Sequence, residues 1–71
     1  MAELRKYLAD CEDLKTGELF TFTFWSTHKA DTKPNYEDAR RYYKKTHRKT
    51  RRFNIEQTLT DEYLYDKRYY A

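Results

Sequence analysis

The chain contains very little glycine, proline or cysteine, and each shortage excludes a class of protein. It has one residue of each type among 71. A single glycine excludes the glycine-rich loops that hold phosphates in nucleotide-binding enzymes. A single cysteine, Cys11, excludes an intramolecular disulfide and a cysteine-based metal set. Long apolar runs are also missing, so the sequence predicts neither a membrane span nor a secretory leader and favours a cytoplasmic protein.

The apolar part of the chain is small and mostly aromatic. Hydrophobic residues make up 38% of the sequence and charged residues another 38%, while 8 Tyr, 4 Phe and 1 Trp supply bulky rings. Such rings can close a small core where aliphatic residues are few. The length allows one small domain, residues 1 to 71. Its stability would be marginal, so a homodimer or a partner surface would help it.

Residues 4 to 14 are compatible with two structures. Their apolar side chains recur at helical spacing, which favours an amphipathic helix. These side chains are Leu4, Tyr7, Leu8, Cys11 and Leu14. Residues 13 to 18, DLKTGE, instead favour a hairpin turn, because Gly17 can adopt a positive φ. We predict the hairpin, and the helix is the alternative.

The predicted hairpin has a coherent apolar face when Asp13 lies opposite Glu18. The pairs on that face are Cys11–Phe20, Ala9–Phe22 and Tyr7–Phe24. The pairs on the other face are Asp10–Thr21, Leu8–Thr23 and Lys6–Trp25. The period of two over residues 18 to 27, in β-favouring types, supports the second strand. The Asp13–Glu18 pair itself is unfavourable, because two carboxylates face each other.

The clearest helix signal covers residues 35 to 49. Asn35 is a good N-cap, with Pro34 just before it and Asp38 three residues later. Acidic residues in the predicted first turn and basic residues near the end oppose the helix dipole at both termini. A less polar face would cover the phenylalanines of the hairpin. Its members are Tyr36, Ala39, Tyr43 and Thr46.

Residues 52 to 59 alternate in the manner of a third strand. The side chains on one side of it would be Phe53, Ile55 and Gln57. The predicted fold is therefore α+β, a single small domain with the order β-β-α-β and one helix packed on a three-stranded antiparallel sheet. Residues 60 to 62, TDE, can cap a short C-terminal helix. A flexible tyrosine-rich tail over residues 60 to 71 is the alternative.

Positive charge is concentrated in one block. The whole chain has a formal net charge of +3, yet residues 40 to 52, RRYYKKTHRKTRR, contain eight Arg or Lys and no carboxylate. Residues 1 to 38 carry five basic and eight acidic side chains, and residues 53 to 71 carry two and four. The formal net charge is therefore −3 for residues 1 to 38, +8 for residues 40 to 52 and −2 for residues 53 to 71. Charge separated in this way produces a directional field, which indicates a binding partner more than a fold.

The basic block has the composition of a phosphate-binding surface. Arg and Lys neutralise phosphates, while Tyr and His hydrogen-bond a phosphate or stack on an unpaired base. The predicted contacts to nucleic acid, or to an acidic protein surface, are Arg40, Arg41, Tyr42, Lys44, Lys45, His47, Arg48, Lys49, Arg51 and Arg52. A solvated helix face would have the same composition. We predict a non-enzymatic binding protein that docks on nucleic acid through this basic helix, with DNA and RNA both open.

A protein-binding regulator is the alternative function, in the manner of the small charged accessory proteins of phages, although no motif marks such a relationship. An inhibitor or adaptor of this kind would use the sheet edge and aromatic side chains on a larger host enzyme. Its surface would contain Trp25, Tyr63, Tyr65, Tyr69 and Tyr70. If the helix covers one face only, Trp25, Leu8 and Leu19 are exposed on the other, and a dimer through that face is a third interpretation.

The residue types that carry catalysis are sparse. His28 and His47 are far apart in the sequence, and neither has a neighbour at metal-ligand spacing. Cys11 would point into the core, where a thiol stays protonated and unreactive. Four carboxylates surround the hairpin turn, where solvation is their ordinary state. We therefore predict no metal, no cofactor and no enzymatic activity.

Overall fold

A computed structural model describes residues 3–47 and 51–60 of the chain. These residues form β1 (Arg5–Asp13), β2 (Leu19–Ser26), α1 (Lys33–His47) and β3 (Phe53–Thr60). The three strands make one antiparallel sheet in the order β2-β1-β3, so the first strand lies in the middle. The predicted α+β fold is confirmed. The closing helix or tail predicted for residues 60 to 71 lies, beyond Thr60, outside the described residues.

The β1–β2 hairpin has the register that the sequence predicts. Asp13 N donates to Glu18 O at 2.8 Å, and Gly17 N donates to Asp13 O at 2.8 Å, with Gly17 at φ 76°. Asp13 Oδ1 also accepts hydrogen bonds from the backbone N–H groups of Lys15 and Thr16. All six pairs predicted for residues 6 to 11 with residues 20 to 25 are present. The helical alternative for residues 4 to 14 is therefore wrong.

The core lies between one face of this sheet and the helix. We call this the inner face and the other the outer face. The fully buried apolar residues of the core are Tyr7, Ala9, Cys11, Phe24, Ala39, Tyr43 and Phe53. The Tyr43 ring is central, with centroids 5.1 Å from Phe53, 5.2 Å from Phe22 and 5.9 Å from Phe20. Tilted aromatic pairs of this kind replace the aliphatic core that the sequence lacks.

A β-bulge in β3 corrects one prediction. Cys11 pairs with Ile55 but Asp10 pairs with Gln57, so Glu56 is an extra residue on β3. The extra residue reverses the alternation of side chains beyond it. Gln57 is consequently exposed on the outer face, where its amide donates to Asp10 at 3.0 Å. Thr58 takes the predicted inner place of Gln57 and is buried.

The helix begins two residues earlier than predicted. Thr32 is the N-cap, since its Oγ1 accepts from Asn35 N at 3.4 Å, and Pro34 occupies the first turn, where no N–H is needed. Asn35 is buried and its side-chain amide donates to His28 O at 3.0 Å. The first turn therefore contains no acidic residue. Thr46, predicted to lie on the buried face, is exposed.

The loop between β2 and α1 crosses to β3 and is fixed there. Asp31 N donates to Thr58 Oγ1 at 2.8 Å, and Thr58 N donates to Asp31 Oδ1 at 2.7 Å. Asp31 adopts a left-handed backbone conformation, with φ 59°, which Asp tolerates better than most residues. The Tyr36 hydroxyl donates to the same Oδ1 at 3.0 Å. The backbone N–H and the side-chain hydroxyl of Thr58 thus both have partners from outside the sheet.

Candidate nucleic-acid interface

The exposed face of α1 carries three cations in its second half. Arg41, Lys44 and Lys45 all point away from the sheet, because the buried Ala39 and Tyr43 occupy the opposite side of the helix. Lys44 and Lys45 have no hydrogen-bond or ion-pair partner among residues 3–47 and 51–60. Their charges also lie in the last turn, where they stabilise the negative end of the helix dipole.

Asp38 fixes the edge of this face that lies towards β2. Its Oδ2 accepts a hydrogen bond from Ser26 Oγ at 2.7 Å, while its Oδ1 accepts one from Arg41 Nη1 at 2.9 Å. The Arg41 side chain is largely exposed and the Asp38 side chain is mostly buried. The ion pair orients the guanidinium along the helix and leaves its other N–H groups open to solvent.

Arg40 lies on the opposite edge of the helix, towards β3. Its Nη1 donates to Phe53 O at 2.9 Å, and its guanidinium carbon lies 5.1 Å from the centroid of the Phe53 ring. These two contacts hold an exposed cation in a defined position at low entropic cost. We call Arg40, Arg41, Lys44 and Lys45 the helix patch.

Arg51, predicted as a phosphate contact, instead joins parts of the fold. Its Nε donates to Asp13 Oδ2 at 2.6 Å and its Nη2 donates to Glu18. The guanidinium lies 3.9 Å from the Phe20 ring centroid and donates to the Tyr43 hydroxyl at 3.4 Å. Arg51 therefore neutralises both carboxylates of the hairpin pair that is unfavourable on sequence grounds. We leave it out of the helix patch.

The pKa values around Arg51 follow from these contacts. The hydrogen bond from Arg51, with further bonds from the backbone N–H groups of Thr16 and Lys15, lowers the pKa of Asp13 from 3.8 to about 2. Hydrogen bonds to Tyr43 and Asp13 raise the pKa of Arg51 above its ordinary value. Both groups are consequently charged at neutral pH and are engaged with each other.

The two ring side chains predicted as contacts, Tyr42 and His47, lie in different environments. Tyr42 is exposed, and it follows Asp38 by one helical turn on the edge towards β2. His47 stacks on Tyr43, with centroids 4.0 Å apart and planes 12° apart, and its Nδ1 lies 3.2 Å from Tyr43 O. The Tyr42 ring is thus available to a ligand, while one face of the His47 ring is covered.

The remaining predicted contacts are not brought onto the helix patch. Arg52 is exposed, and its carbonyl accepts from Leu14 N at 3.0 Å at the hairpin end of the sheet. Since side chains alternate along an extended segment, Arg52 points to the side opposite Arg51 and the helix. Arg48 and Lys49 lie outside the described residues.

Only part of the alternative partner surface lies within the described residues. On the outer face Leu19 is 75% exposed and Trp25 is 48% exposed, as expected for an edge strand that no other described element covers. Leu8, predicted to be exposed with them, is 5% exposed, because its central strand places Thr23 on one side and Leu59 on the other. The four tyrosines predicted for this surface lie beyond the described residues. They are Tyr63, Tyr65, Tyr69 and Tyr70.

The described residues include the nucleophile and metal-ligand candidates of the sequence, Cys11, His28 and His47. Within the described part of the chain, no group of three or more His, Cys, Asp or Glu side chains could hold a metal ion. Cys11 is buried, and burial raises the pKa of its thiol from 9.0 to about 12. A thiol in this state is neither a nucleophile nor a metal ligand at neutral pH.

The 15-residue helix α1 is too short and too polar to cross a membrane, and this is the helix that the described residues contain. Comparisons with protein-family models, with curated proteins and with solved structures find no match for the chain.

Proposed function

We propose that this protein is a non-enzymatic, cytoplasmic nucleic-acid-binding module, and that the helix patch contacts phosphates of the nucleic-acid backbone. One observation carries the proposal. Lys44 and Lys45 project side by side from an exposed helical turn with no carboxylate partner in residues 3–47 and 51–60. A phosphate backbone supplies the regularly spaced negative charge that such a surface lacks within its own fold.

The distribution of the acidic groups supports this choice. Asp13 and Glu18 are paired with Arg51 at the hairpin end, and Asp38 is paired with Ser26 and Arg41. These three carboxylates are thus engaged within the fold and do not neutralise Lys44 or Lys45. Arg40 and Tyr42, on opposite edges of the helix, can add a second phosphate contact and a stacking surface.

The expected salt dependence follows from the number of phosphate contacts. If about three cations of the helix patch each neutralise one phosphate of a duplex, the slope of log K against log salt is about −2.7. Raising the salt from about 50 to about 200 mM would then weaken binding about 40-fold. Additional contacts from Arg48 and Lys49 would steepen the slope to about −4.5 and the loss to about 500-fold.

The test is a double replacement with a charge-matched control. Lys44→Ala/Lys45→Ala removes two cations from the helix patch, while Lys29→Ala/Lys33→Ala removes two exposed cations near the start of α1. Lys33 and Lys44 are about 16 Å apart along the helix axis, which exceeds the screening length at physiological salt. Alanine favours helix at the three sites in α1, and Lys29 is an exposed loop residue, so both variants should fold.

Binding is measured with labelled double- and single-stranded DNA and RNA across the salt series. We expect K44A/K45A to weaken binding and to reduce the salt slope by about 2, while K29A/K33A keeps a slope close to that of the native protein. Equal losses in both variants would mean that net charge, not the helix patch, produces the binding. No binding of the native protein at about 50 mM salt would refute the proposal.

A protein partner is the second candidate, because Leu19 and Trp25, near the two ends of β2, are large apolar side chains exposed on the outer face. This surface lies on the side of the sheet away from α1. A regulator that binds through it would be insensitive to K44A/K45A and would lose affinity on Trp25→Ala, the reverse of the pattern expected for nucleic acid.

A further inference from the structure

The two edge strands of the sheet, β2 and β3, differ in how well they are protected against pairing with a further strand. At the β3 edge, Thr58 N donates to Asp31 Oδ1, Phe53 O accepts from Arg40, and the bulge at Glu56 interrupts the strand. Such features are the usual means by which a protein prevents further strands from adding to a sheet. The β3 edge is therefore protected by three separate features.

The β2 edge has none of these features. Its eight residues, LFTFTFWS, contain no charge, no proline and no bulge in their pairing with β1. Asp13 and Glu18 form a hydrogen-bonded pair, and from this pair hydrogen-bonded and non-hydrogen-bonded pairs alternate along the hairpin. In the non-hydrogen-bonded pairs, the β2 residues direct their N–H and C=O groups away from β1, to an edge that no described residue covers. These residues are Leu19, Thr21, Thr23 and Trp25.

We propose that a second copy of the chain occupies this edge, by antiparallel pairing of β2 with β2 about a two-fold axis beside Phe22. In this register Leu19 lies opposite Trp25 of the second copy and Thr21 lies opposite Thr23. All four use backbone groups that have no partner among residues 3–47 and 51–60. Pairs of threonines and large apolar side chains are favourable across strands. The sequence of β2 is thus complementary to itself.

The inner face supports the same register. Phe20 and Phe22 pack against the core but are only partly buried, so part of each ring is accessible on the inner face of β2. In the dimer Phe22 would face Phe22 of the second copy, and Phe20 would face Phe24. Aromatic rings in directly opposed pairs make additional contacts and lose their exposed edges to solvent.

The pairing produces a continuous six-stranded sheet with both helices on one side, because a two-fold axis normal to a sheet keeps its faces in common. Asp38 and Tyr42 mark the side of α1 that faces β2 and hence the second helix. The dimer does not rest on the proposed function, since β2 carries none of the cations of the helix patch. It would present two helix patches on the same side of the sheet.

The test uses a charge exchange at the central outer-face pairs. Thr21 and Thr23 are exposed, so both sites accept charged residues without disturbing the monomer. T21K/T23K places two lysines opposite each other on each side of the axis and should weaken the dimer at least about tenfold. T21K/T23E places a lysine opposite a glutamate in the same two pairs and should restore it. The restoration occurs only in the proposed register.

The mass of the full chain is measured by sedimentation equilibrium over a range of micromolar concentrations, with circular dichroism as the control for folding. The proposal is supported by a native dimer, a T21K/T23K monomer and a T21K/T23E dimer. A native monomer throughout the range would overturn it. So would a T21K/T23K variant as dimeric as the native protein, or a T21K/T23E variant that remains monomeric. Nucleic-acid binding by a native protein that is monomeric throughout the range would leave the proposed function intact while the dimer alone fails.

Discussion

Replacing Thr58 with valine measures how strongly the loop after β2 is fixed to β3. Valine keeps the volume and the strand preference of threonine, so the core should not rearrange. It removes the Oγ1 that accepts a hydrogen bond from Asp31 N at 2.8 Å. A buried donor left without a partner costs about 1 to 3 kcal/mol. Because Asp31 is exposed and water can reach it, we expect a loss of about 1 to 1.5 kcal/mol in the free energy of unfolding.

Replacing Asp31 gives the other side of a double-mutant cycle. Asp31→Ala removes the acceptor for Thr58 N and for the Tyr36 hydroxyl, and it places alanine at φ 59°. The lost bonds and the backbone strain together should cost about 3 kcal/mol. Asp31→Asn keeps an oxygen acceptor and tolerates the left-handed conformation, so it should cost less than about 1 kcal/mol.

The assay is urea unfolding followed by far-ultraviolet circular dichroism, with equal m-values as the condition for comparing the variants. The free energy of unfolding lost in D31A/T58V should be about 1 kcal/mol smaller than the sum of the losses in the two single variants. The reason is that T58V removes the Asp31 N–Thr58 Oγ1 hydrogen bond and D31A distorts the same bond. A T58V variant within about 0.3 kcal/mol of the native protein, or strict additivity in the cycle, would refute the idea that this contact fixes the loop.

Two further predictions concern titratable groups. The pKa of Asp13 is lowered from 3.8 to about 2 in the folded state, so its contribution to stability is present above pH 3.8 and is lost as the pH falls towards 2. Urea midpoints across this window should decline less in Asp13→Asn than in the native protein, and parallel declines would contradict the assignment. Cys11 has a pKa of about 12 and is buried, so a thiol reagent at about pH 8 should label it only after unfolding. Rapid labelling of the native protein would show that β1 opens readily.

The hairpin could be predicted in detail because its information is local. A turn with Gly17 and two strands with period two fix one register, and the structure has that register. The bulge at Glu56 could not be predicted in this way. An inserted residue in a strand leaves the residue types on either side unchanged, so Gln57 fits the inner face of the pattern as well as Thr58 does.

The start of the helix shows a different limit. Thr32 and Asn35 are both good N-cap residues, and local preference alone does not choose between them. The choice is made by tertiary contacts, since the Asn35 side chain is needed at His28 O inside the fold. Pro34 is compatible with either start, because it would precede a helix capped by Asn35 and lies in the first turn of the helix capped by Thr32, where no backbone donor is needed.

Arg51 shows why the candidate site was only partly predictable. Its sequence neighbours make it one cation of a basic block, while its partners Asp13 and Glu18 are 38 and 33 residues away in the chain. The same block contains Lys44 and Lys45, which remain unpaired in the described structure. Composition identifies a block of cations, but only the fold separates those that neutralise carboxylates of the same chain from those that face solvent.

The central position of β1 has a consequence for the order of folding. The β1–β2 hairpin can form from adjacent residues, whereas β3 must join β1 from far along the chain, as in the pairing of Leu8 with Leu59. Loop closure of this length is slow compared with hairpin formation, so the hairpin should form first and β3 should dock last. During that interval β1 is itself an open edge. It carries the charged residues Arg5, Lys6, Asp10, Glu12 and Asp13. These charges would keep a nascent chain from pairing with its neighbours through β1 before β3 arrives.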